Sequence, residues 1–113
     1  AGEVPSRRSG AVGVAHGGNM YLFGGYDGRG GSFFNDMHVY SFKENYWSKI
    51  VTKQNTFSTF GLPESEKNLP PARTDHSMVY HEGHLYIFGG YNGVVRFNDV
   101  FRFDLKTQLW KDS

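Results

Sequence analysis

The side chains best suited to bind a metal in this sequence are its five histidines. Three of them, His76, His81 and His84, lie close together, and imidazole nitrogens are common zinc ligands. His76 and His81 differ by an odd number of positions, however, so on a strand they would point to opposite faces. The sequence also has no cysteine. We therefore expect no metal and no other cofactor.

Acidic and glycine-rich patterns give no better candidate for catalysis. Asp36 and Asp99 follow an asparagine in two similar stretches of chain. This recurrence favours a structural hydrogen bond, because a catalytic group is usually needed once. The segment Gly28-Arg29-Gly30-Gly31 lies between predicted strands and does not open a helix, as phosphate-binding loops do. No serine lies in a nucleophile elbow, so we expect that the chain is not an enzyme.

The composition limits the class of protein and the kind of partner. In 113 residues, 17% are aromatic and 15 are glycine, which is typical of short strands joined by tight turns. The formal net charge is +1 without a run of like charge, so we expect no nucleic-acid partner. No stretch is long and apolar enough for a bilayer, which predicts no membrane partner. The lack of cysteine favours the cytoplasm or the nucleus.

An internal repeat organises the whole chain. The stretch 20–28 recurs at 85–93 with hardly a change, at an offset of 65 positions. A Pro-x-Arg segment precedes each copy, which pairs Arg7 with Arg73, and each unit closes on a tryptophan. The offset falls from 66 at these arginines to 63 at Trp47 and Trp110, so insertions separate the two units in their loops.

Short apolar runs ended by glycines or polar residues predict four strands in each unit. In the first unit they cover residues 12–16, 20–23, 37–42 and 46–51, and in the second 77–80, 84–88, 100–105 and 109–111. The polar stretch between the units predicts a long connection. We therefore divide the chain into a first unit, 1–52, an inter-unit loop, 53–70, and a second unit, 71–113.

The diglycine after the second strand, the aromatic residues around it and the closing tryptophan together resemble the kelch repeat. The resemblance covers about residues 5–50 and 71–112 and implies an all-β fold, with two four-stranded antiparallel blades of a kelch-type β-propeller. The histidine of the motif is His76 in the second unit, whereas the first unit has Gly10. The resemblance implies structural roles, in backbone geometry and inter-blade packing, for Tyr21, Gly24, Gly25, Trp47, Tyr86, Gly89, Gly90 and Trp110.

Strand direction places the loops after the second strands and the connections between blades on one face, which is commonly the binding side of kelch proteins. Arginine and aromatic side chains dominate interface energetics. We therefore predict a protein-binding scaffold whose contact residues are Tyr26, Arg29, Phe33, Phe34, Tyr91, Arg96, Phe97, Arg7 and Arg73. For Phe33, Phe34 and Phe97, packing onto their own blade is the alternative. For Arg7 and Arg73, the alternative is a structural role.

Several roles remain open at this point. Kelch propellers commonly serve as adaptors, among them substrate receptors of ubiquitin ligases. Architectural blades without a binding role, and a small-molecule-binding or catalytic propeller, are the alternatives. Because two blades leave two apolar flanks uncovered, we expect either a piece of a longer propeller or a homo-oligomer. Three copies with two blades each would give six blades in a closed ring.

Overall fold

The computed structural model describes residues 1–51 and 69–112. Within these residues the chain forms two four-stranded antiparallel sheets, which confirms the predicted all-β fold with two blades. The predicted inter-unit loop, 53–70, lies outside the described residues except for Leu69 and Pro70. In the described part of the chain, no helix is long and apolar enough to cross a membrane.

The first sheet, which we call blade 1, is built from two hairpins, and its strands are hydrogen-bonded in the order β1-β2-β5-β6. Gly17 and Gly18 join β1 to β2 at φ of 59° and 80°, a two-residue turn in which both positions need positive φ. A short hairpin, β3 and β4, interrupts the connection from β2 to β5. The strands are β1 (Val12–His16), β2 (Asn19–Phe23), β3 (Tyr26–Asp27), β4 (Ser32–Phe33), β5 (Met37–Ser41) and β6 (Tyr46–Ile50).

The second sheet, blade 2, repeats this arrangement with the strand order β7-β8-β9-β10. Glu82 and Gly83 form the turn between β7 and β8, again with positive φ at both residues. Its strands are β7 (Ser77–His81), β8 (His84–Phe88), β9 (Val100–Asp104) and β10 (Leu109–Asp112). The innermost strands β1 and β7 contact each other, and the rings of His16 and Tyr80 stack with their centroids 3.7 Å apart.

The hydrophobic core lies between the two blades. Alternation along each strand sends one set of side chains from blade 2 toward blade 1. Phe103 and Trp110 belong to this set, and Phe23 meets them from blade 1. The Trp110 ring lies 5.0 Å from the ring of Phe23 and 5.0 Å from that of Phe103. All three side chains are buried, so these rings form a solvent-excluded contact between the blades.

The outer flanks of the pair carry the same residue types, but within residues 1–51 and 69–112 no further blade covers them. The ring of Trp47 lies 5.1 Å from that of Tyr40, as Trp110 contacts Phe103, but Trp47 is only half-buried and contacts no second blade in the described part of the chain. Phe88 corresponds to Phe23 and is 53% exposed, whereas Phe23 is fully buried. The role in inter-blade packing that the sequence predicts for both tryptophans is therefore seen at Trp110, and Trp47 lies on the free flank of blade 1.

Loops and turns separate to opposite edges of each blade. One edge holds the connections 24–36 and 89–99, together with the segments 6–11 and 71–76 that precede β1 and β7. We call this edge the loop face. The other edge holds the four hairpin turns at 17–18, 42–45, 82–83 and 105–108, and we call it the turn edge.

Candidate functional site

A buried arginine braces the loop face of blade 2. Arg73 donates hydrogen bonds to both carboxylate oxygens of Asp99, at 2.6 and 2.9 Å, and a third to the carbonyl of Gly89 at 2.8 Å. Its side chain has no exposed surface. This bidentate pairing ties the segment before β7 to both ends of the loop between β8 and β9.

Blade 1 has the same brace, but at a residue that differs from the one expected. Arg8 donates to Asp36 at 2.6 and 3.2 Å and to the Gly24 carbonyl at 3.2 Å. The sequence alignment of Arg7 with Arg73 is therefore wrong, and the true offset is 65, as at the diglycines. The sequence alone does not decide between Arg7 and Arg8 as the equivalent of Arg73, since both closely follow a proline. Arg7 itself is exposed.

The corrected alignment also changes which residue of blade 1 corresponds to the motif histidine, His76. Ser9 and Thr74 form equivalent bridges, to Tyr26 and Tyr91 respectively. Counting on from that pair, the position of His76 in blade 2 is occupied in blade 1 by alanine at position 11 and not by Gly10. The two segments that precede β1 and β7 thus differ in the side chain that they present to a neighbouring blade.

Aromatic rings lie directly against the two bracing guanidinium groups. The guanidinium carbon of Arg8 is 4.0 Å from the centroid of Phe34, and that of Arg73 is 4.1 Å from the centroid of Phe97. Both rings are half-buried. The sequence places Arg73, Phe34 and Phe97 among the partner contacts. In the structure Arg73 is inaccessible, and the two phenylalanines pack onto their own blades by cation–π contact.

Electrostatics reinforce the brace in blade 1. Burial alone would raise the pKa of Asp36, but hydrogen bonds and positive charge from Arg8 and His38 outweigh it, so this pKa is lowered. The Nε2 atom of His38 lies 2.9 Å from Asp36. Asp36 therefore stays ionised as the acceptor that the brace requires.

Two arginines remain accessible on the loop face of blade 1. Arg7 and Arg29 are exposed and line one open concavity of about 390 Å³ together with Tyr26. The backbone N–H of Arg29 donates to the Asp27 carboxylate at 3.1 Å, which fixes the tip of the β3–β4 hairpin. Neither guanidinium group makes an ion pair within residues 1–51 and 69–112.

A phenylalanine joins the loops of the two blades into one surface. The ring of Phe33 lies 4.5 Å from Tyr26 in its own hairpin and 6.5 Å from Tyr91 in blade 2. It also sits against Gly93, where a β-carbon would approach the Phe33 ring to 3.1 Å. All three aromatic side chains are half-buried, so each keeps a part of its ring accessible.

The loop of blade 2 contributes a third accessible arginine beside apolar side chains. Arg96 is exposed, and its guanidinium carbon lies 4.8 Å above the ring of Tyr91. Val94 and Val95 are next to it and are 87% and 49% exposed. The sequence analysis does not predict Val95 as a contact residue. The signal that could have revealed it is a pair of β-branched apolar residues at a polar loop tip.

The diglycine residues act through the backbone. Gly24 and Gly89 have φ of 77° and 69°. A β-carbon on Gly24 would lie 2.7 Å from the carbonyl oxygen of Arg73, so the close approach of blade 2 requires a glycine there. Tyr21 and Tyr86, the aromatic residues upstream, are half-buried within their sheets.

The histidine group considered from the sequence does not converge. His76 is buried between the blades, whereas the side chain of His81 is 67% exposed. Across residues 1–51 and 69–112, no three His, Cys, Asp or Glu side chains are grouped so that they could hold a metal ion.

Comparison with known proteins agrees with this architecture. The Kelch motif matches residues 7–54 and 72–112. The chain is 33% identical over 98 residues to Kelch domain-containing protein 10 of Homo sapiens, which covers 86% of this chain and 20% of that protein. It is 31% identical over 123 residues to Kelch domain-containing protein 3 of Bos taurus, covering 99% of this chain and 28% of that protein.

The chain therefore spans between about a fifth and just over a quarter of the length of these curated relatives. The Kelch motif covers well over half of the chain, and each of the two matches contains one four-stranded sheet. This protein belongs to the kelch-repeat family, of which it contains two repeats.

Proposed function

We propose that this chain is a protein–protein interaction module that binds its partner with the loop face. The observation that carries the proposal is the contrast between two kinds of arginine on that face. Arg8 and Arg73 form ion pairs with carboxylates of their own blades. By contrast, Arg7, Arg29 and Arg96 are exposed and have no ion-pair partner within residues 1–51 and 69–112.

The surroundings of the exposed arginines suit a protein partner. Arginine and tyrosine are over-represented among residues that dominate binding energy. Tyr26, Phe33 and Tyr91 form a partly accessible aromatic row between Arg29 and Arg96. The apolar tip at residues 94–95 adds surface that gains from burial. The expected partner segment carries acidic side chains for the arginines and apolar ones for this row.

Within a longer polypeptide, the same surface would serve an adaptor. This chain covers 20% and 28% of the length of the two relatives, so an adaptor of similar length would contain other parts as well. A ubiquitin-ligase substrate receptor is one adaptor of this kind.

The test removes two accessible arginines and compares the result with an equal loss of charge elsewhere. The test variant is Arg29→Gln with Arg96→Gln, and the control is Lys43→Gln with Lys106→Gln, both exposed at the turn edge. Each immobilised variant is used to capture proteins from a cell extract, and captured proteins are quantified by mass spectrometry.

We expect the amount of one or more proteins captured by the wild type and the lysine control to fall at least about tenfold with the arginine variant, since arginine is enriched among interface residues whose truncation costs about 2 kcal/mol or more. Equal capture by all three proteins would contradict binding through the loop face. Loss in the lysine control alone would place the interface at the turn edge.

A further inference from the structure

The β3–β4 hairpin carries a serine close to one of the accessible arginines of the loop face. Ser32 is the only serine or threonine of the sequence that follows an arginine, Arg29, by three residues. Protein kinases that select basic substrates bind such an arginine with carboxylates of their substrate groove, since the guanidinium group and the carboxylate form charge-assisted hydrogen bonds. This spacing makes Ser32 a candidate for phosphorylation.

The hydroxyl group of Ser32 is accessible and unengaged. Ser32 is exposed, and its Oγ atom makes no hydrogen bond within residues 1–51 and 69–112. A β-carbon added at the preceding residue, Gly31, would meet no other atom within 4 Å, so the tip of the hairpin borders open space. The tip therefore leaves room for another protein to approach the hydroxyl group.

The hairpin is also held weakly enough to open. Its strands pair through only two residue pairs, Tyr26 with Phe33 and Asp27 with Ser32. Three glycines, at positions 28, 30 and 31, give the tip backbone freedom. Separation of the outer pair alone frees the segment from Arg29 to Ser32 and leaves Phe33 in place. Such a local opening costs little free energy, and it gives the kinase the extended substrate segment that it needs.

A phosphate on Ser32 would meet charges of both signs. A β-carbon at Gly30 would lie 3.6 Å from Ser32 Oγ and 3.9 Å from the Asp27 carboxylate, so both groups border the same side of the tip. A phosphoserine carries a charge of about −1.5 to −2 at neutral pH. It would repel Asp27 and attract the guanidinium group of Arg29, which would then turn toward its own hairpin.

Blade 2 has no hydroxyl group at the equivalent position. Phe34 and Phe97 are equivalent, since each donates its backbone N–H to the second glycine of the diglycine in its own blade. Two residues before them stand Ser32 and Val95. Modification of Ser32 would therefore change the charge of the loop face at blade 1 only.

We propose that Ser32 is a phosphorylation site for a protein kinase that recognises Arg29, and that its phosphorylation weakens binding at the loop face. In the reaction, Ser32 Oγ attacks the γ-phosphorus of ATP. The new Oγ–P bond forms as the bond from this phosphorus to the β–γ bridging oxygen breaks, ADP leaves with that electron pair, and the hydroxyl proton passes to a base of the kinase. The weakening rests on the proposed function, since an acidic partner loses Arg29 and meets a new negative charge.

The first experiment tests the modification site. The whole chain is incubated with purified calmodulin-dependent protein kinase II and Mg·ATP, and phosphorylated residues are mapped and quantified by tandem mass spectrometry. We expect Ser32 to be phosphorylated, and its initial rate to fall at least about tenfold in Arg29→Gln, because the charge-assisted contact with the kinase is lost. Arg96→Gln, which removes an accessible arginine of blade 2, is the control and should match the wild type. An unmodified Ser32, or an equal rate in Arg29→Gln, would overturn the site.

The second experiment tests the effect on binding. Phosphoserine is incorporated at position 32 by an expanded genetic code, and proteins are captured from a cell extract with phosphatase inhibitors, with the wild type and Ser32→Ala in parallel. We expect the proteins whose capture depends on Arg29 and Arg96 to fall at least about tenfold with phosphoserine and to be retained by Ser32→Ala. Equal capture by the phosphoserine chain would overturn the weakening of binding.

The two experiments separate the modification site from the proposed function. If the wild type captures no protein that depends on the loop-face arginines, the proposed function fails and the weakening of binding fails with it. The phosphorylation of Ser32 is decided by the kinase experiment in either case, because that experiment uses no binding partner.

Discussion

The two tryptophans make a matched pair for testing inter-blade packing. Trp110 is 4% exposed and contacts one ring in its own blade and one in blade 1. Trp47 is half-buried, and within residues 1–51 and 69–112 its ring contacts one other aromatic ring, that of Tyr40. Truncation of a large core aromatic costs about 3–5 kcal/mol. An aromatic pair adds about 0.5–1.5 kcal/mol beyond the buried area. We expect Trp110→Ala to cost about 4–5 kcal/mol and Trp47→Ala about 1–2 kcal/mol.

The assay is urea unfolding of the chain and its two variants, followed by far-UV circular dichroism, since removal of a tryptophan alters fluorescence. A domain has a total stability of about 5–15 kcal/mol, so Trp110→Ala removes a large fraction of it and should lower the urea midpoint much further than Trp47→Ala does. Equal losses of stability for the two variants would contradict a stabilising contact between the blades, because they would mean that the ring contact of Trp110 with Phe23 adds nothing. A larger loss for Trp47→Ala would place the main core on the other flank.

Three further predictions concern the arginine brace, the buried His76 and two glycines with positive φ. Arg8→Lys keeps the charge but loses the bidentate geometry, so we expect it to lower the free energy of unfolding by about 1–3 kcal/mol. The exposed Arg7→Lys should lower it by less than about 0.5 kcal/mol. Equal melting temperatures for the two variants would contradict the equivalence of Arg8 with Arg73. Burial, aided by the positive charge of Arg73, lowers the pKa of His76 from 6.5 to about 4. Since the folded state then binds fewer protons than the unfolded state, the free energy of unfolding should fall by up to about 3 kcal/mol as pH drops from 6.5 to 4. His76→Phe should reduce the pH dependence of the urea midpoint in this range. The same pH dependence in the wild type and the variant would contradict the lowered pKa of His76. Gly24→Ala places a methyl group against blade 2 and should cost more than about 2 kcal/mol of stability. Gly17→Ala, at positive φ with no other atom within 4 Å, should cost about 1–2 kcal/mol. A higher melting temperature for Gly24→Ala than for Gly17→Ala would contradict the close approach of blade 2 to Gly24.

The sequence predicts the strands well because glycine pairs and alternating apolar runs mark their limits directly. Strands β1 and β8 begin and end as expected, and the others differ by one residue at one end. The β3–β4 hairpin is not predicted, because two-residue strands around a glycine-rich tip have no periodicity to detect. Backbone pairing at Tyr26 and Phe33 creates it through a contact of only two residue pairs.

The candidate site is harder to predict because accessibility depends on tertiary contacts. Arg7 and Arg8 are adjacent and chemically identical, yet one is exposed and the other is bound to Asp36. Likewise Phe34 looks like a free loop aromatic in the sequence, but a guanidinium group lies 4.0 Å from its ring centroid. Only the fold distinguishes such pairs, since the acceptor is 28 residues away along the chain.

The most direct test of the proposed binding role is site-specific photo-crosslinking in a cell extract. A benzophenone amino acid is placed at position 29 or 96 on the loop face, or at position 43 or 106 at the turn edge. We expect the same partner protein to be crosslinked from positions 29 and 96 and not from positions 43 and 106. A partner that crosslinks equally from both edges, or only from the turn edge, would contradict recognition through the loop face.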